Sequence, residues 1–319
     1  MTAEDLAVRT TALTKTYDGA SVVDAIDLAV PSNSVFGFLG PNGAGKTTTM
    51  KMLLGLIRPT SGSGSIFGLD ITADSAEVRR RIGYLPQEPK FYPHLTARET
   101  LRFAAGFFFS GPADRIEARI DEMLDLVDMA QRADRPVKTL SGGEMQRLGI
   151  AQAQIHAPDL LILDEPAAAL DPLGRRDVLA ILERFRATST VFYSTHILDD
   201  VQRVSDMVCI LKAGRIVRQG PLADVLSSDQ GPVFTAVIEG DVARARAALL
   251  AQSWVDDVAV DGGAASASLR ITVNDAEAAE ARLQRVLLAD DALVVKEFSR
   301  PATTLEDVFI DLVEEGPDE

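Results

Sequence analysis

Gly40-Pro41-Asn42-Gly43-Ala44-Gly45-Lys46-Thr47 decides how this chain is read. It fits G-x-x-x-x-G-K-[ST] at every fixed position. Residues 34–39 before it form a compact apolar run that reads as a strand. Residues 46–56 read as a helix, closed by Gly55 and by Pro59 beyond. Glycines let a backbone curl until several N–H groups converge on one phosphate. The helix starting near Lys46 adds the positive end of its dipole. Lys46 then suits the β and γ phosphates of a nucleotide, and Thr47 offers its hydroxyl to Mg²⁺. Asn42, Gly43, Ala44, Gly45, Lys46, Thr47 and Thr48 are the expected phosphate contacts.

On the N-terminal side, residues 1–30 read as short strands, with loose alternation over 22–30. On the C-terminal side, residues 88–158 are mostly helical in pattern. Thr96-Ala97-Arg98-Glu99 forms a capping box, and Ile116, Ile120, Met123, Leu124 and Val127 share one helical face. Strands resume at 160–163, 190–194 and 207–211, and this alternation with helices argues for a parallel sheet. Ala213-Gly214 reads as a turn between 210–212 and 215–219. A polar linker spans 227–232. Beyond it the reading is strand 233–239, helix 241–251, strands 255–260 and 266–273, helix 275–288, strand 293–298 and helix 303–313. The first six elements are β-α-β-β-α-β, a ferredoxin-like order. No tandem repeat is seen.

A chain of 319 residues holds one large or two ordinary domains. Its formal net charge is −15, which argues against free nucleic acid, whose binding needs Lys and Arg to neutralise phosphates. From Gly231 onward there are 18 acidic and 7 basic residues, so −11 of that charge lies in the last segment. It reads as a solvated acidic surface on a separate unit. Cys209 is the only cysteine, lies in an apolar run and reads as a buried hydrophobe. Residues 1–5 do not resemble a signal peptide. Apolar stretches such as 103–109 fall short of the ~18–20 residues a membrane span needs. A cytoplasmic location is expected, with any spans supplied by another chain. His94, His156 and His196 show no metal-ligand spacing, so zinc is not expected. No Asn-Lys-x-Asp tetrapeptide for guanine occurs.

Two further segments accompany the glycine loop, in fixed order. Leu140-Ser141-Gly142-Gly143-Glu144-Met145-Gln146-Arg147 comes first. Leu160-Leu161-Ile162-Leu163-Asp164-Glu165-Pro166 follows, an apolar strand ending in two carboxylates. Together the three resemble the ATP-binding subunit of an ATP-binding cassette (ABC) transporter, over residues 5–225. The resemblance implies a P-loop NTPase of α/β class at 1–226, with a mixed-sheet core and a helical subdomain inserted at about 88–158. Residues 233–319 would add a small α+β accessory domain.

By the same resemblance Asp164 orients Mg²⁺ and Glu165 polarises the attacking water. Gln87 coordinates Mg²⁺ or water, His196 senses the γ-phosphate, and Tyr17 stacks on adenine. Ser141, Gly142 and Gly143 close over ATP bound to an opposing subunit. Asp171 couples the two sites, although Ala167-Ala168 before it departs from the usual Thr-Ser. One copy of each motif implies two ATP sites in a homodimer, or in a heterodimer with a close relative.

Residues 38–49 look like cassettes of the ABC-2 type, which export drugs and polymers. So does the tail, with Pro301 and Thr304-Leu305-Glu306-Asp307-Val308-Phe309. A separate permease would place the subunit on the cytoplasmic face of the cell membrane. Phe91, Tyr92 and Pro93 are candidates for contact with it, or else pack internally. The competing class is a soluble cassette ATPase acting on DNA or ribosomes. It would usually bring a coiled coil, a second cassette or a basic surface, and none is visible. A non-catalytic relative is disfavoured because Lys46, Thr47, Asp164, Glu165 and His196 are all present.

Overall fold

A computed structural model describes residues 6–314, apart from 169, 227–231, 264–265, 291 and 301–303, with side chains through 309. They fall into two compact units, divided between Leu222 and Ala223. The first begins with strands β1 (Leu6–Tyr17), β2 (Ala20–Ile26) and β3 (Ala29–Pro31). Strand β4 (Val35–Leu39) then leads through the glycine loop into helix α1 (Lys46–Leu53). Strands β5 (Ser61–Ile66) and β6 (Leu69–Asp70), helix α2 (Ser75–Arg80) and strand β7 (Ile82–Leu85) follow. Helices α3 (Ala97–Ala105), α4 (Ala113–Leu126) and α5 (Gly142–Gln154) form the helical insertion. The chain returns through β8 (Leu160–Asp164), α6 (Pro172–Phe185), β9 (Thr190–Thr195), α7 (Leu198–Val204), β10 (Met207–Lys212) and β11 (Arg215–Pro221). Helix α8 (Leu222–Leu226) runs across the division.

The central sheet has the order β11-β10-β4-β9-β8-β7. From β10 to β7 it is parallel, and β11 pairs antiparallel with β10. Every residue of β4, β8 and β9 is buried. That suits strands covered on both faces, which read as continuous apolar runs. Phe192 stacks against Phe36 and Phe38 at ring separations of 5.6 and 5.2 Å. A second sheet, ordered β2-β1-β5-β6 with β3 also on β1, is antiparallel.

Several expectations are corrected. β1 is 12 residues long rather than a short strand. The expected strand over 22–30 is two, because Ala25 adopts φ +48° and Asp27 turns to accept the Ala12 N–H at 2.7 Å. Helix α1 stops at Leu53 rather than 56. There Leu56 N–H reaches back to Lys51 O (2.9 Å) around Gly55 at φ +64°, a left-handed closure that glycine permits. Regular helix in the insertion starts at Ala97, not 88. The Thr96–Glu99 box is formed in both directions, at 3.1 and 2.8 Å. Ile120, Met123, Leu124 and Val127 are buried and Ile116 half-buried.

The second unit comprises β12 (Val233–Glu239), α9 (Val242–Leu250), β13 (Val255–Gly263), β14 (Ser266–Val273), α10 (Ala276–Leu287), β15 (Val294–Ser299) and α11 (Leu305–Glu314). Its sheet order, β13-β14-β12-β15, is antiparallel throughout, as a ferredoxin-like unit requires. Phe234, Ile238, Trp254, Leu269 and Leu283 belong to its core. Asp241 and Asp275 cap α9 and α10 by accepting backbone N–H groups. Strand β13 runs three residues past the expected 260. Linker residues 227–231, Pro301 and the expected helix start at Thr303 lie outside the described residues. Cys209 is buried, and burial pushes its thiol pKa up. No described helix is long and apolar enough to cross a membrane.

Candidate functional site

Strand β4 ends at Leu39, and Gly40 N–H donates to Thr195 O at the end of β9 (3.3 Å). This ties the loop entrance to the next strand. Gly45 has φ +106°, and a Cβ there would sit 2.6 Å from Val22 O. A Cβ on Gly40 would sit 2.4 Å from Leu211 O. Only glycine fits either place. Lys46, the first residue of α1, folds back under the loop. Its Nζ donates to Gly40 O at 2.6 Å and Pro41 O at 3.3 Å, and lies 3.3 Å from Glu165 Oε1. Val22, Pro41 to Thr48, Gln87 and Glu165 line one cavity of about 330 Å³.

Strand β8 delivers the two carboxylates to different places. Asp164 Oδ2 accepts from Thr47 Oγ1 at 2.8 Å. Glu165 turns into the cavity on a left-handed backbone, φ +50°. Its carboxylate lies between two side chains: Lys46 on Oε1, and His196 on Oε2 at 2.9 Å. A carboxylate only accepts, so His196 Nδ1 carries the hydrogen in that bond. Burial, and then the Asp164 charge, push the neighbouring Tyr84 phenol up to about 12.

The other expected site residues do not join this cavity. Ser141 is exposed at the N-terminus of α5, which begins at Gly142 rather than near Glu144. Its Oγ accepts from Glu144 N (3.2 Å), and Glu144 accepts from Ser141 N (2.8 Å) and from Arg132 Nε (2.9 Å). This reciprocal capping box, with Arg132 holding Glu144, closes the N-terminus of the helix. Asp171 is exposed and caps α6, accepting from Gly174 N at 3.2 Å. Ala169, before it, lies outside the described residues. Tyr17 is half exposed, with Lys15 Nζ 4.9 Å from its ring centre. Phe91 is half-buried, whereas Tyr92 and Pro93 are exposed. Tyr92 meets Phe103 edge-on at 5.7 Å, and Phe103 meets Phe107 at 5.1 Å.

The donor set fits a hard divalent cation. Thr47 Oγ1 and Asp164 Oδ2, 2.8 Å apart, match adjacent corners of an octahedron with ~2.0–2.1 Å bonds, which lie about 2.9 Å apart. Among the described residues no cluster of three His, Cys, Asp or Glu could hold a metal. A cation here would complete its shell with phosphate and water oxygens, as Mg²⁺ prefers. Sequence reading missed Ser194, whose hydroxyl touches both acidic residues. The available signal was a small polar residue directly after the run Val191-Phe192-Tyr193.

A glycine cradle, its lysine, a strand-end acid pair and a histidine in reach of the second acid define a nucleoside-triphosphatase. The comparisons name its kind. Residues 23–168 match the family model described as ABC transporter. The chain is 35% identical over 311 residues to an uncharacterized ABC transporter ATP-binding protein, YcbN, of Bacillus subtilis, with 96% of each covered. It is 41% identical over 216 residues to the bacitracin transport ATP-binding protein BcrA of Bacillus licheniformis (67% of this chain, 69% of that one). It is 34% identical over 310 residues to the daunorubicin/doxorubicin resistance ATP-binding protein DrrA of Streptomyces peucetius (96% and 92%). Among solved structures, an ATP-binding subunit of an ABC transporter matches at TM-score 0.62 and 31% identity, covering 68% of this chain and 91% of that one. The cassette MJ0796, solved as a dimer bound to ADP and Pi, matches at TM-score 0.63 and 26% identity (67% and 98%). The chain belongs to the ATP-binding subunits of ABC transporters and is an ATPase.

Proposed function

We propose that two copies of this subunit, or one copy and a close relative, bind two Mg-ATP between them and drive a separate export permease from the cytoplasmic face of the membrane. The observation that carries this reading is a division of labour. Lys46, Thr47 and Glu165 line one cavity, with Asp164 bonded to Thr47 and His196 to Glu165 behind them, while Ser141 stands exposed outside its lining. A second molecule can bring its serine hydroxyl and the Gly143 N–H to the first molecule's triphosphate. The γ-phosphate then belongs to the interface and favours the closed pair.

In each site the backbone N–H groups of residues 42–48 hold the phosphates, and Lys46 compensates their charge. Thr47 and Asp164 would hold Mg²⁺, with Gln87 at the cavity edge; bound there, the ion neutralises charge developing on the phosphates. Glu165 accepts a proton from the attacking water, and His196 orients Glu165 through Nδ1. Tyr17 supplies a ring face for adenine, and Asp171 lies where the two sites communicate. The ATPase domain is assigned to 1–226, with the helical subdomain at about 88–158. The linker is assigned to 227–232 and an accessory domain to 233–319. Phe91, Tyr92 and Pro93, with the exposed ring of Phe103 beside them, form the face offered to the permease.

Light scattering tests the pairing. With Mg-ATP, the hydrolysis-impaired Glu165→Gln chain is expected to run as a dimer, and adding Ser141→Arg is expected to return it to a monomer that still binds ATP. A Ser141→Arg chain that dimerises undiminished would overturn the shared site. Co-purification from detergent-solubilised membranes with a six-span protein tests the permease assignment, and recovery only with ribosomes or DNA would refute it.

A further inference from the structure

Strand β9 ends Ser194-Thr195 with His196 directly after it, and each of the three reaches the nucleotide cavity's framework. His196 bonds Glu165, and Thr195 O holds Gly40 N–H. Ser194 does something different. It is fully buried, and the parallel register of β8 and β9 sets it beside Asp164. Its hydroxyl donates to Asp164 Oδ1 at 2.6 Å and accepts the Glu165 backbone N–H at 2.9 Å. One hydroxyl therefore bridges the two acidic residues that the proposed mechanism assigns to the metal and to water.

We propose that Ser194 is a positioning residue for hydrolysis, setting the Asp164 carboxylate and the Glu165 turn with a single hydroxyl. The proposal rests on the roles given above to Asp164 and Glu165. The physical case has two parts. Asp164 is buried, and one hydroxyl partner on each oxygen fixes the plane of its carboxylate. Ser194 takes Oδ1, which leaves Oδ2 facing Thr47 Oγ1 at 2.8 Å. Glu165 is a non-glycine residue at φ +50°, a conformation that L side chains resist and that persists only where surroundings over-determine it. The bond from Glu165 N–H to Ser194 Oγ is one such restraint, and it aims the side chain between Lys46 and His196. Only a residue with one donor and free lone pairs can serve both neighbours, which a hydroxyl does. Alanine removes both bonds, and threonine restores them on a strand that accepts β-branched residues.

The test compares Ser194→Ala, Ser194→Thr and Glu165→Gln in the full chain. It measures steady-state hydrolysis and binding of a fluorescent ATP analogue, the latter in EDTA and across a Mg²⁺ titration. Supporting partners of metal ligands typically contribute about 10–100-fold in affinity or activity. Ser194→Ala is expected to lose kcat by that factor and to need about tenfold more Mg²⁺ for half its effect on analogue binding. Its affinity in EDTA is expected to stay near wild type, with KM little changed. Ser194→Thr is expected to recover both losses. Wild-type kcat and Mg²⁺ response in Ser194→Ala, with Glu165→Gln inactive, would overturn the role of Ser194 alone. Equal losses in Ala and Thr, or a parallel fall of analogue binding in EDTA, would reduce Ser194 to a packing residue and also overturn it. Undiminished hydrolysis in Glu165→Gln would instead remove Glu165 from the chemistry, a separate failure of the underlying reading.

Discussion

Replacing Glu165 with glutamine separates chemistry from architecture, because the structure lets both terms be sized. Glu165 Oε1 lies 3.3 Å from the Lys46 ammonium, with both side chains almost wholly buried. At an effective dielectric constant of ~20 that separation corresponds to about 5 kcal/mol of gross attraction. Glutamine loses this attraction, but it also removes the desolvation penalty of a buried carboxylate, several kcal/mol in itself. The amide oxygen still accepts from His196, but the Lys46 ammonium stays buried without its anion, which typically costs the nucleotide-free fold about 3–5 kcal/mol. Bound triphosphate supplies a replacement anion, so nucleotide affinity is expected to be retained. The rate is another matter, since an amide cannot take a proton from water. General-base catalysis typically supplies about 10²–10⁴-fold, or roughly 2.7–5.4 kcal/mol of barrier. Single-turnover phosphate release from preloaded Mg-ATP is the assay, with analogue binding and thermal unfolding as controls. Hydrolysis within about threefold of wild type, under 1 kcal/mol of barrier, would refute the assignment of Glu165 as base.

Lys46→Ala leaves Glu165 buried without its cation, a change that typically destabilises by about 3–5 kcal/mol; urea unfolding should show the loss, and equilibrium binding should show nucleotide affinity falling with it. Gly45→Ala places a Cβ 2.6 Å from Val22 O at φ +106°; strain of about 1–3 kcal/mol and weakened phosphate binding are expected, and an unaltered urea midpoint with unaltered ATP binding would count against the close fit. His156 supplies a pH test. Its ring stacks on Phe108 at 3.8 Å, and both ring nitrogens are buried. Burial, which outweighs a hydrogen bond with the Ile82 backbone and is joined by the Arg119 charge, holds its pKa below the ordinary 6.5. The unfolded chain then takes up the proton more readily, so this contribution to stability is complete above about pH 6.5 and fades as pH falls toward the folded-state pKa. His156→Phe is expected to flatten the acid side of the urea midpoint's pH dependence, and an unchanged slope would contradict it.

What could be read from sequence was local or strongly periodic. The glycine loop, the strand before it and the acid pair are contiguous stretches, so their chemistry lies on the page. The ferredoxin-like order of the second unit followed from clean alternation of apolar runs. Strand β5 was invisible because Ser61-Gly62-Ser63-Gly64-Ser65 has no apolar signal; it is a strand because β1 and β6 pair with it. The break between β2 and β3 was hidden for a similar reason, since it depends on Asp27 reaching Ala12. Ser194 shows the same limit at the site. Its importance comes from lying opposite Asp164 across two parallel strands, a relation that residues 30 positions apart do not announce. The Arg132–Glu144 support beneath Ser141 is likewise a tertiary contact.

The left-handed backbone at Glu165 has an evolutionary side. Glycine occupies positive φ without penalty, so a mutation from glutamate to glycine there would ease the turn while deleting the proton acceptor. The turn itself would not oppose such a change; what opposes it in the fold is the Lys46 ammonium left buried without its anion. A lineage able to bear that cost could become a pseudoenzyme in a single step.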